Sequence, residues 1–224
     1  MATSMQVFDI ATAKKWFEII EDGVPEDMAL LWLEREATGS AAPKEYRDSW
    51  QIAIKEDCLK TRSLNKAECI ALKMYTMEEY KFYRKFNGDC RERKWKYYKV
   101  YTSLLQSGLS KLRRKSSEAV RKLYRGLSCN SLDAAATGLC MPGFTSTSSK
   151  FEIAKKFSKA ATITVESRYG SEIDLFSKFA EKETLFSPFQ VFEVLIDKSL
   201  VNDRTGKSLA RIRTCFDQTI PFLL

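Results

Sequence analysis

Hydrophobic positions in the first half of the chain follow the spacing of amphipathic helices, three and four residues apart. Asn65, with Glu68 three residues later, forms a capping-box pattern that predicts the start of one helix. Asn87 and Gly88 form a dipeptide that predicts the end of another. The patterns together predict helices over 12–20, 27–36, 46–58, from 65 onwards, 78–86 and 95–105.

The second half has a different pattern, with short runs of β-branched and aromatic residues separated by turn residues. These runs predict strands over 122–128, 162–167 and 188–196, with one helix over 149–158 between them. Helices followed by strands are typical of an α+β fold rather than of alternating βαβ units. We therefore predict a helical region over residues 1–117 and a β-core over 118–224.

Composition sets outer limits on this picture. The chain has 224 residues, and no apolar run is long enough to cross a bilayer, so no membrane span is expected. The N-terminus lacks a basic segment followed by an unbroken apolar stretch, so no signal peptide is predicted. The six cysteines form no C-x-x-C pair, and we expect them to be mostly free thiols.

Histidine is absent from the chain. This absence excludes Ser-His-Asp and Cys-His nucleophile systems and zinc sites that use histidine. The cysteines are too scattered for a zinc cluster, so no metal is expected. The glycine-rich patterns of P-loops and dinucleotide-binding turns are also missing. Any acid–base chemistry must therefore use carboxylates, lysine, tyrosine or cysteine.

Positive charge is concentrated between residues 81 and 115, although the whole chain has a net charge of only +8. Aromatic residues alternate with lysines in the run KWKYYKVY, so nucleic-acid binding has to be considered. The other interpretation is that the lysines form the solvated side of helices whose aromatic side is buried. We expect no specific nucleic-acid binding.

Three short motifs in the second half carry candidate chemistry. Arg125 and Gly126 lie in a predicted strand, where a charged side chain must reach solvent or an anion and a glycine permits close approach of a ligand. Ser146 lies in the hydroxyl-rich run FTSTS, whose last serine is a candidate helix N-cap. Glu181 and Glu183 precede a strand, and in an extended segment their side chains project on one side.

The three motifs, in this order and with their neighbours LYRG, FTSTS and EKETLFSPFQVFEV, resemble the Arg-Ser-Glu class of mono-ADP-ribosyltransferases. The resemblance extends from about Leu64 to Cys215. It implies a helical region packed on a core of two sheets that encloses an NAD cleft. It also implies a reaction in which ADP-ribose passes from NAD to a side chain of a target protein and nicotinamide is released.

The resemblance also implies roles for single residues. Arg125 would hold the NAD phosphates, and the backbone of Gly126 would meet the nicotinamide amide. Ser146 would support the nicotinamide ribose and orient the catalytic carboxylate of Glu183, which would hydrogen-bond to the ribose 2′-hydroxyl. Glu181 would position and deprotonate the acceptor.

Two aromatic residues and the acceptor complete these expectations. Phe176 and Phe179 lie where the family places aromatic side chains that cover nicotinamide and contact the target. Arginine is the expected acceptor, with serine or threonine as the variant. The resemblance covers vertebrate-type ecto-enzymes as well as bacterial toxins and effectors. It implies a secreted protein, and both an extracellular enzyme and an effector that acts inside a host cell remain open. An NAD glycohydrolase and a basic nucleic-acid- or protein-binding module with a vestigial site remain alternatives.

Overall fold

The computed structural model describes residues 24–56, 61, 63–92, 94–113, 119–127, 138–140, 143–158, 161–177, 181–188, 191–195 and 210–214. For residues 138–140, 161, 191–195 and 210–214 only the backbone is described. The helix predicted over 12–20 lies outside these residues, and so does Phe179. None of the described helices is both long enough and apolar enough to cross a bilayer.

Helices dominate the described residues before residue 114. They are α1 (Ala29–Thr38), α2 (Lys44–Ala53), α3 (Lys66–Tyr75), α4 (Phe82–Arg91), a 3₁₀ turn (Trp95–Tyr98) and α5 (Lys99–Arg113). Strands dominate afterwards. They are β1 (Arg121–Leu127), β2 (Gly138–Cys140), β3 (Thr145–Ser148), β4 (Ala161–Ser167), β5 (Ser171–Glu172), β6 (Glu183–Phe186), β7 (Val191–Leu195) and β8 (Ala210–Thr214). Helix α6 (Phe151–Lys156) follows β3, and a second 3₁₀ turn (Asp174–Phe176) follows β5. The predicted α+β class is confirmed.

The chain divides into two compact units. The described residues within Ile10–Lys115 and Ile173–Ala180 form a helical unit. Those within Ser116–Glu172 and Glu181–Leu224 form a sheet unit. The domain boundary predicted between residues 117 and 118 stays a prediction. That prediction assigned residues 173–180 to the β-core, whereas the described residues of this range belong to the helical unit.

Helix α3 begins with the capping box that the sequence predicts. The side chain of Asn65 accepts from the backbone N–H of Glu68 at 2.9 Å, and Glu68 Oε2 accepts from the backbone N–H of Asn65 at 2.9 Å. The carboxylate of Glu68 is buried, and its other oxygen accepts from Ser107 at 2.6 Å and pairs with Lys111 at 2.7 Å. One carboxylate thus caps α3 and ties it to α5.

Helix α4 differs from its prediction at both ends. It runs through Asn87 and Gly88 instead of stopping there, and it starts four residues after the predicted 78. The reason is tertiary packing, which overrides the local turn preference. Asn87 donates to the hydroxyl of Tyr75 at 3.0 Å, and Asp89 accepts from the hydroxyl of Tyr98 at 2.5 Å. The first contact fixes Asn87, and the second fixes Asp89, the residue that follows the Asn-Gly pair in the helix.

The helical unit has an aromatic core. Its fully buried rings include Tyr46, Phe82, Phe86, Tyr98 and Tyr101. Tyr46 stacks on Phe82 with ring centroids 4.9 Å apart, and Phe86 meets Tyr101 edge-to-face at 4.9 Å. Aromatic pairs in such geometries add to the free energy gained by burying their area. Four of these rings lie within the basic segment 81–115 and form part of the hydrophobic core. This agrees with the interpretation in which the lysines of the segment face solvent and its aromatic side is buried.

The described strands form one hydrogen-bonded series in the order β2-β7-β8-β4-β1-β3-β6-β5. The pair β4–β8 is parallel, and the other neighbours are antiparallel. Strands β1 and β3 are joined at a single residue pair, Tyr124 with Ser148. The sheet therefore opens at this junction, with five strands on one side and three on the other. Such an opening is compatible with the expected two-sheet core.

Candidate active site

Arg125 lies in β1, next to the opening between β1 and β3. Its ladder partner across β1–β4 is Ile163, and on the other side β1 is joined to β3 at the preceding residue, Tyr124. The guanidinium crosses the opening, and Nη1 donates to the carbonyl oxygen of Ser146 at 2.5 Å. The half-buried cation is thereby held between the first two predicted motifs.

Gly126 has a packing role that the sequence does not reveal. A Cβ atom at this position would lie 2.6 Å from the backbone nitrogen of Ser158 and 2.7 Å from the backbone carbon of Phe157. It would also overlap the carbonyl oxygen of Ala154. On this side of its Cα the residues at the end of α6 fill the space, so a glycine is needed here for packing. Contact of its backbone with nicotinamide stays a prediction.

Strands β3 and β6 bring Ser146 and Glu183 onto the same face. In this ladder Ser146 pairs with Leu185, and Ser148 pairs with Glu183. Directly opposed residues point to one side of a sheet, and so do residues two apart along a strand. Ser146 and Glu183 are therefore diagonal neighbours. Glu183 is 8% exposed, so its carboxylate sits in a largely desolvated position.

The segment between the two glutamates is not extended. Lys182 has φ of 51°, in the left-handed region, and β6 begins only at Glu183. The prediction that both carboxylates project from one side of an extended segment is therefore wrong. Glu183 projects from strand β6, whereas Glu181 lies before the left-handed residue and is half-buried. The two carboxylates consequently occupy different environments.

Ser148 holds this turn in place. Its hydroxyl donates to the carbonyl oxygen of Glu181 at 2.5 Å and accepts from the backbone N–H of Lys150 at 3.0 Å. The backbone N–H of Ser149 donates to the carbonyl oxygen of Lys182 at 3.2 Å. The prediction that Ser148 is the N-cap of the following helix is wrong, because Lys150 occupies that position and α6 begins at Phe151. The serine belongs to β3 and ties it to the turn.

Phe176 belongs to the helical unit, in the 3₁₀ turn that follows β5. Its side chain is 2% exposed, and its carbonyl oxygen accepts from the hydroxyl of Thr76 at 2.8 Å. The other five predicted site residues lie in the sheet unit. The expected role of Phe176 over nicotinamide stays a prediction.

Ser148 and Lys182 are the site residues that sequence reasoning does not identify. The FTSTS run offers a signal for Ser148, but it is equally well explained by helix capping. Nothing in the sequence marks Lys182, because left-handed positions favour glycine, asparagine and aspartate.

The side chains present suit chemistry that develops positive charge. A desolvated carboxylate stabilises a nearby cation strongly, since low-dielectric surroundings strengthen the interaction. Arginine is suited to phosphate oxygens, to which it donates two parallel hydrogen bonds. Among the described residues, no group of three or more histidine, cysteine, aspartate or glutamate side chains is placed to hold a metal ion.

The sequence model of NAD:arginine ADP-ribosyltransferases matches residues 33–212, which span both units and all of the predicted site residues. The chain belongs to this family. It is an NAD-dependent mono-ADP-ribosyltransferase with NAD as its substrate, and the resemblance noted in the sequence is confirmed. No curated protein matches the chain in sequence at a significant level.

Solved structures show the same fold at low sequence identity. The eukaryotic mono-ADP-ribosyltransferase ART2.2 is 20% identical, with a TM-score of 0.66 over 84% of each chain. Exoenzyme S from Pseudomonas aeruginosa is 19% identical, with a TM-score of 0.63 over 85% of this chain and 90% of its own. HopU1 of Pseudomonas syringae pv. tomato DC3000 is 15% identical, with a TM-score of 0.64 over 86% of this chain and 99% of its own.

Proposed function

We propose that this transferase passes ADP-ribose from NAD to an arginine side chain of a protein substrate and releases nicotinamide. The observation that carries the proposal is the different placement of the two glutamates. Glu183 is buried on β6, whereas Glu181 is half-buried and lies before a left-handed residue. Two carboxylates in different environments suit two different tasks in one reaction.

Glu183 acts on NAD in this proposal. Cleavage of the bond between ribose and nicotinamide leaves a cationic, oxocarbenium-like ribose, and nicotinamide departs as a neutral molecule. No general acid is therefore needed at the leaving group. The carboxylate of Glu183 hydrogen-bonds to the ribose 2′-hydroxyl and stabilises the cation as it forms. Ser146, its diagonal neighbour, supports the ribose and orients the carboxylate.

Arg125 holds the pyrophosphate of NAD. Its guanidinium donates a hydrogen bond to the carbonyl oxygen of Ser146, and this bond orients it. The residue that binds the phosphates is thereby coupled to Ser146, the residue that supports the ribose. The structure of Exoenzyme S bound to carba-NAD and that of an ART2.2 mutant in complex with NAD support NAD binding by this fold.

Glu181 acts on the acceptor. A free arginine side chain is protonated at neutral pH, because its pKa is about 12.5 or higher. It becomes a nucleophile only when a nitrogen loses its proton, and a nearby carboxylate both attracts the cation and accepts that proton. The family description names arginine, and the ADP-ribosyltransferase Vis has been solved in complex with agmatine, a small guanidinium compound. Both favour arginine over serine or threonine.

The setting of the reaction is part of the proposal. We infer a secreted effector that modifies a protein inside a host cell. Two bacterial neighbours support this setting, since Exoenzyme S was solved with human 14-3-3 protein beta and HopU1 comes from a plant-associated Pseudomonas. Among the residues whose side chains are described, Cys90 is a free and buried thiol, which suits a reducing compartment.

Nucleic-acid binding by the basic segment is disfavoured by burial. Trp95, Tyr98 and Tyr101, which alternate with its lysines, are at most 5% exposed. Bases stack on exposed rings when a protein binds single strands, and these three rings are inaccessible. Tyr97 of the same run is half-buried, with Lys96 Nζ 5.1 Å from its ring centroid. Contacts of lysine and arginine with phosphates then remain, and they carry no sequence information.

The proposal is tested by incubating the protein with adenine-labelled NAD and a cell lysate, followed by mass spectrometry of labelled peptides. ADP-ribose on arginine is the expected result. ADP-ribose on serine or threonine would contradict the acceptor, and free ADP-ribose alone would indicate an NAD glycohydrolase. Glu181→Gln should lose transfer while much of the NAD hydrolysis survives, because water needs less positioning than a guanidinium.

A further inference from the structure

We infer that the left-handed backbone at Lys182 is a specificity-determining feature, because it directs Glu181 to the acceptor and leaves Glu183 at NAD. The inference rests on the proposed function and adds a backbone position that separates the two carboxylates. Lys182 has φ of 51°, which is sterically disfavoured for any residue with a Cβ atom. A lysine holds this conformation only when its surroundings impose it.

The surroundings of Lys182 do impose it. On one side the hydroxyl of Ser148 donates to the carbonyl oxygen of Glu181 at 2.5 Å. On the other, the N–H of Ser149 donates to the carbonyl oxygen of Lys182 at 3.2 Å. The next residue, Glu183, is fixed in the ladder opposite Ser148. Three consecutive residues of the turn are therefore held by two consecutive residues at the end of β3.

The consequence for Glu181 follows from strand geometry. If residue 182 were extended, Glu181 would project from the same side as Glu183, because side chains two apart share a face. Both carboxylates would then be directed at the ribose, where two like charges at close range repel each other. The left-handed residue avoids this arrangement. Glu181 is left half-buried rather than buried, and the inference assigns it to the guanidinium of the target protein.

The inference concerns the backbone of Lys182 rather than its charge. The lysine side chain is exposed, whereas the conformation of the main chain decides where Glu181 lies. Replacements of Lys182 therefore distinguish an effect of the backbone conformation from an effect of the side-chain charge. Glycine and asparagine adopt the left-handed conformation readily, alanine does so less readily, and a β-branched residue such as valine does so least. All four replacements remove the charge.

The experiment measures two rates for Lys182→Gly, Lys182→Asn, Lys182→Ala and Lys182→Val. One is transfer of ADP-ribose to agmatine, and the other is hydrolysis of NAD. We expect the ratio of transfer to hydrolysis to stay near the wild-type value in the glycine and asparagine variants and to be lower in the alanine variant. In the valine variant the ratio should fall on the order of 10-fold or more, because a small displacement of the Glu181 carboxylate lowers the rate of transfer strongly.

A second lysine provides the matched control. Lys81 precedes α4 in the helical unit with φ of 50°, is exposed, and makes no side-chain capping bond. Lys81→Val should lower thermal stability, because it imposes the same backbone strain, and leave the ratio of transfer to hydrolysis unchanged.

Two results would count against the inference. A ratio that is constant across the series, valine included, would overturn it, and so would an equal loss in all four variants, which would assign the effect to the charge. If the valine variant does not fold, the comparison of alanine with glycine and asparagine decides in the same way. Failure of the proposed function is distinguishable, because the wild-type protein would then transfer no ADP-ribose at all.

Discussion

Ser148 lies directly opposite Glu183 in the β3–β6 ladder, and its hydroxyl donates to the carbonyl oxygen of Glu181 at 2.5 Å. One serine thus contacts the chain on both sides of Lys182. It also pairs with Tyr124, the position at which β3 is joined to β1 in the described sheet. The position of both glutamates relative to the Arg125 strand therefore depends on this residue.

Ser148→Ala should affect both stability and transfer. The variant loses two hydrogen bonds, to Glu181 and from Lys150, which together contribute about 1–3 kcal/mol to the free energy of unfolding. Because the turn loosens, transfer to agmatine should fall more than NAD hydrolysis. Thr147→Val is the control, since its hydroxyl donates to the carbonyl of Thr184 at 2.8 Å from the opposite face. A larger change of the transfer ratio in Thr147→Val would contradict the role of Ser148.

Arg125→Ala should weaken NAD binding. A charge-assisted contact to phosphate is lost, so we expect the dissociation constant for NAD to rise about 10- to 100-fold, as measured by calorimetry. Arg121→Ala is the matched control on the same strand. Arg121 donates to the carbonyl oxygen of Gly170 at 2.7 Å and pairs with Glu172 at 3.0 Å, so its loss should lower stability and leave NAD affinity unchanged. Unchanged affinity in folded Arg125→Ala would remove Arg125 from the site.

Gly126→Ala should destabilise the sheet unit. The added methyl group would collide with the backbone at Phe157 and Ser158, and main chain cannot move aside as a flexible side chain can. We expect a loss of about 3 kcal/mol or more in chemical denaturation. Gly88→Ala is the control, because its Cβ would meet only Arg91 Nη2 at 3.9 Å. Within helix α4 this change should stabilise the protein by about 0.5–1 kcal/mol. Equal effects of the two substitutions would contradict the packing of α6 on Gly126.

Glu36→Gln should destabilise the helical unit in a pH-dependent way. The Glu36 carboxylate accepts from the N–H groups of Val100 and Tyr101 at 2.7 and 2.9 Å and from the hydroxyl of Tyr46 at 2.8 Å. In Glu36→Gln the side-chain amide nitrogen would face one of these N–H or O–H donors and could not accept its hydrogen bond. We expect the free energy of unfolding to fall by about 1–3 kcal/mol.

The pH dependence follows from the pKa of Glu36. Desolvation raises that pKa above its ordinary value of 4.5, although the hydrogen bonds oppose the shift. The folded state then binds the proton more tightly than the unfolded state. The contribution of Glu36 is therefore full below pH 4.5 and declines as pH rises through the raised pKa. The stability difference between wild type and Glu36→Gln should shrink from pH 4 to pH 7 in urea denaturation. A difference that grows over this range would mean that the pKa is lowered.

The parts of this structure that depend on neighbours in sequence could be predicted, and those that depend on distant contacts could not. The capping box of Asn65 and Glu68 is local, and it identified the start of α3. Asn87 and Gly88 would end an isolated helix, but contacts with Tyr75 and Tyr98 carry α4 past them.

The candidate site shows the same division. Arg125, Ser146 and Glu183 were proposed as site residues from three motifs, because residue type and order carry that information, and their roles stay predictions. The left-handed turn at Lys182 arises from bonds to Ser148 and Ser149, more than thirty residues earlier in the chain. No local pattern predicts such a conformation for a lysine. The grouping of 173–180 with the helices also rests on distant contacts, such as that between Thr76 and Phe176.

The most direct test of the proposed mechanism is the rate of nicotinamide release from NAD by purified Glu183→Gln, measured without any acceptor. Glutamine keeps the shape of the side chain on β6 and removes the charge that stabilises the ribose cation. We expect the rate to fall on the order of 10²-fold or more relative to wild type, with the circular dichroism spectrum unchanged. A folded Glu183→Gln protein that releases nicotinamide at the wild-type rate would contradict the assignment of Glu183, and with it the proposed division of tasks between the two glutamates.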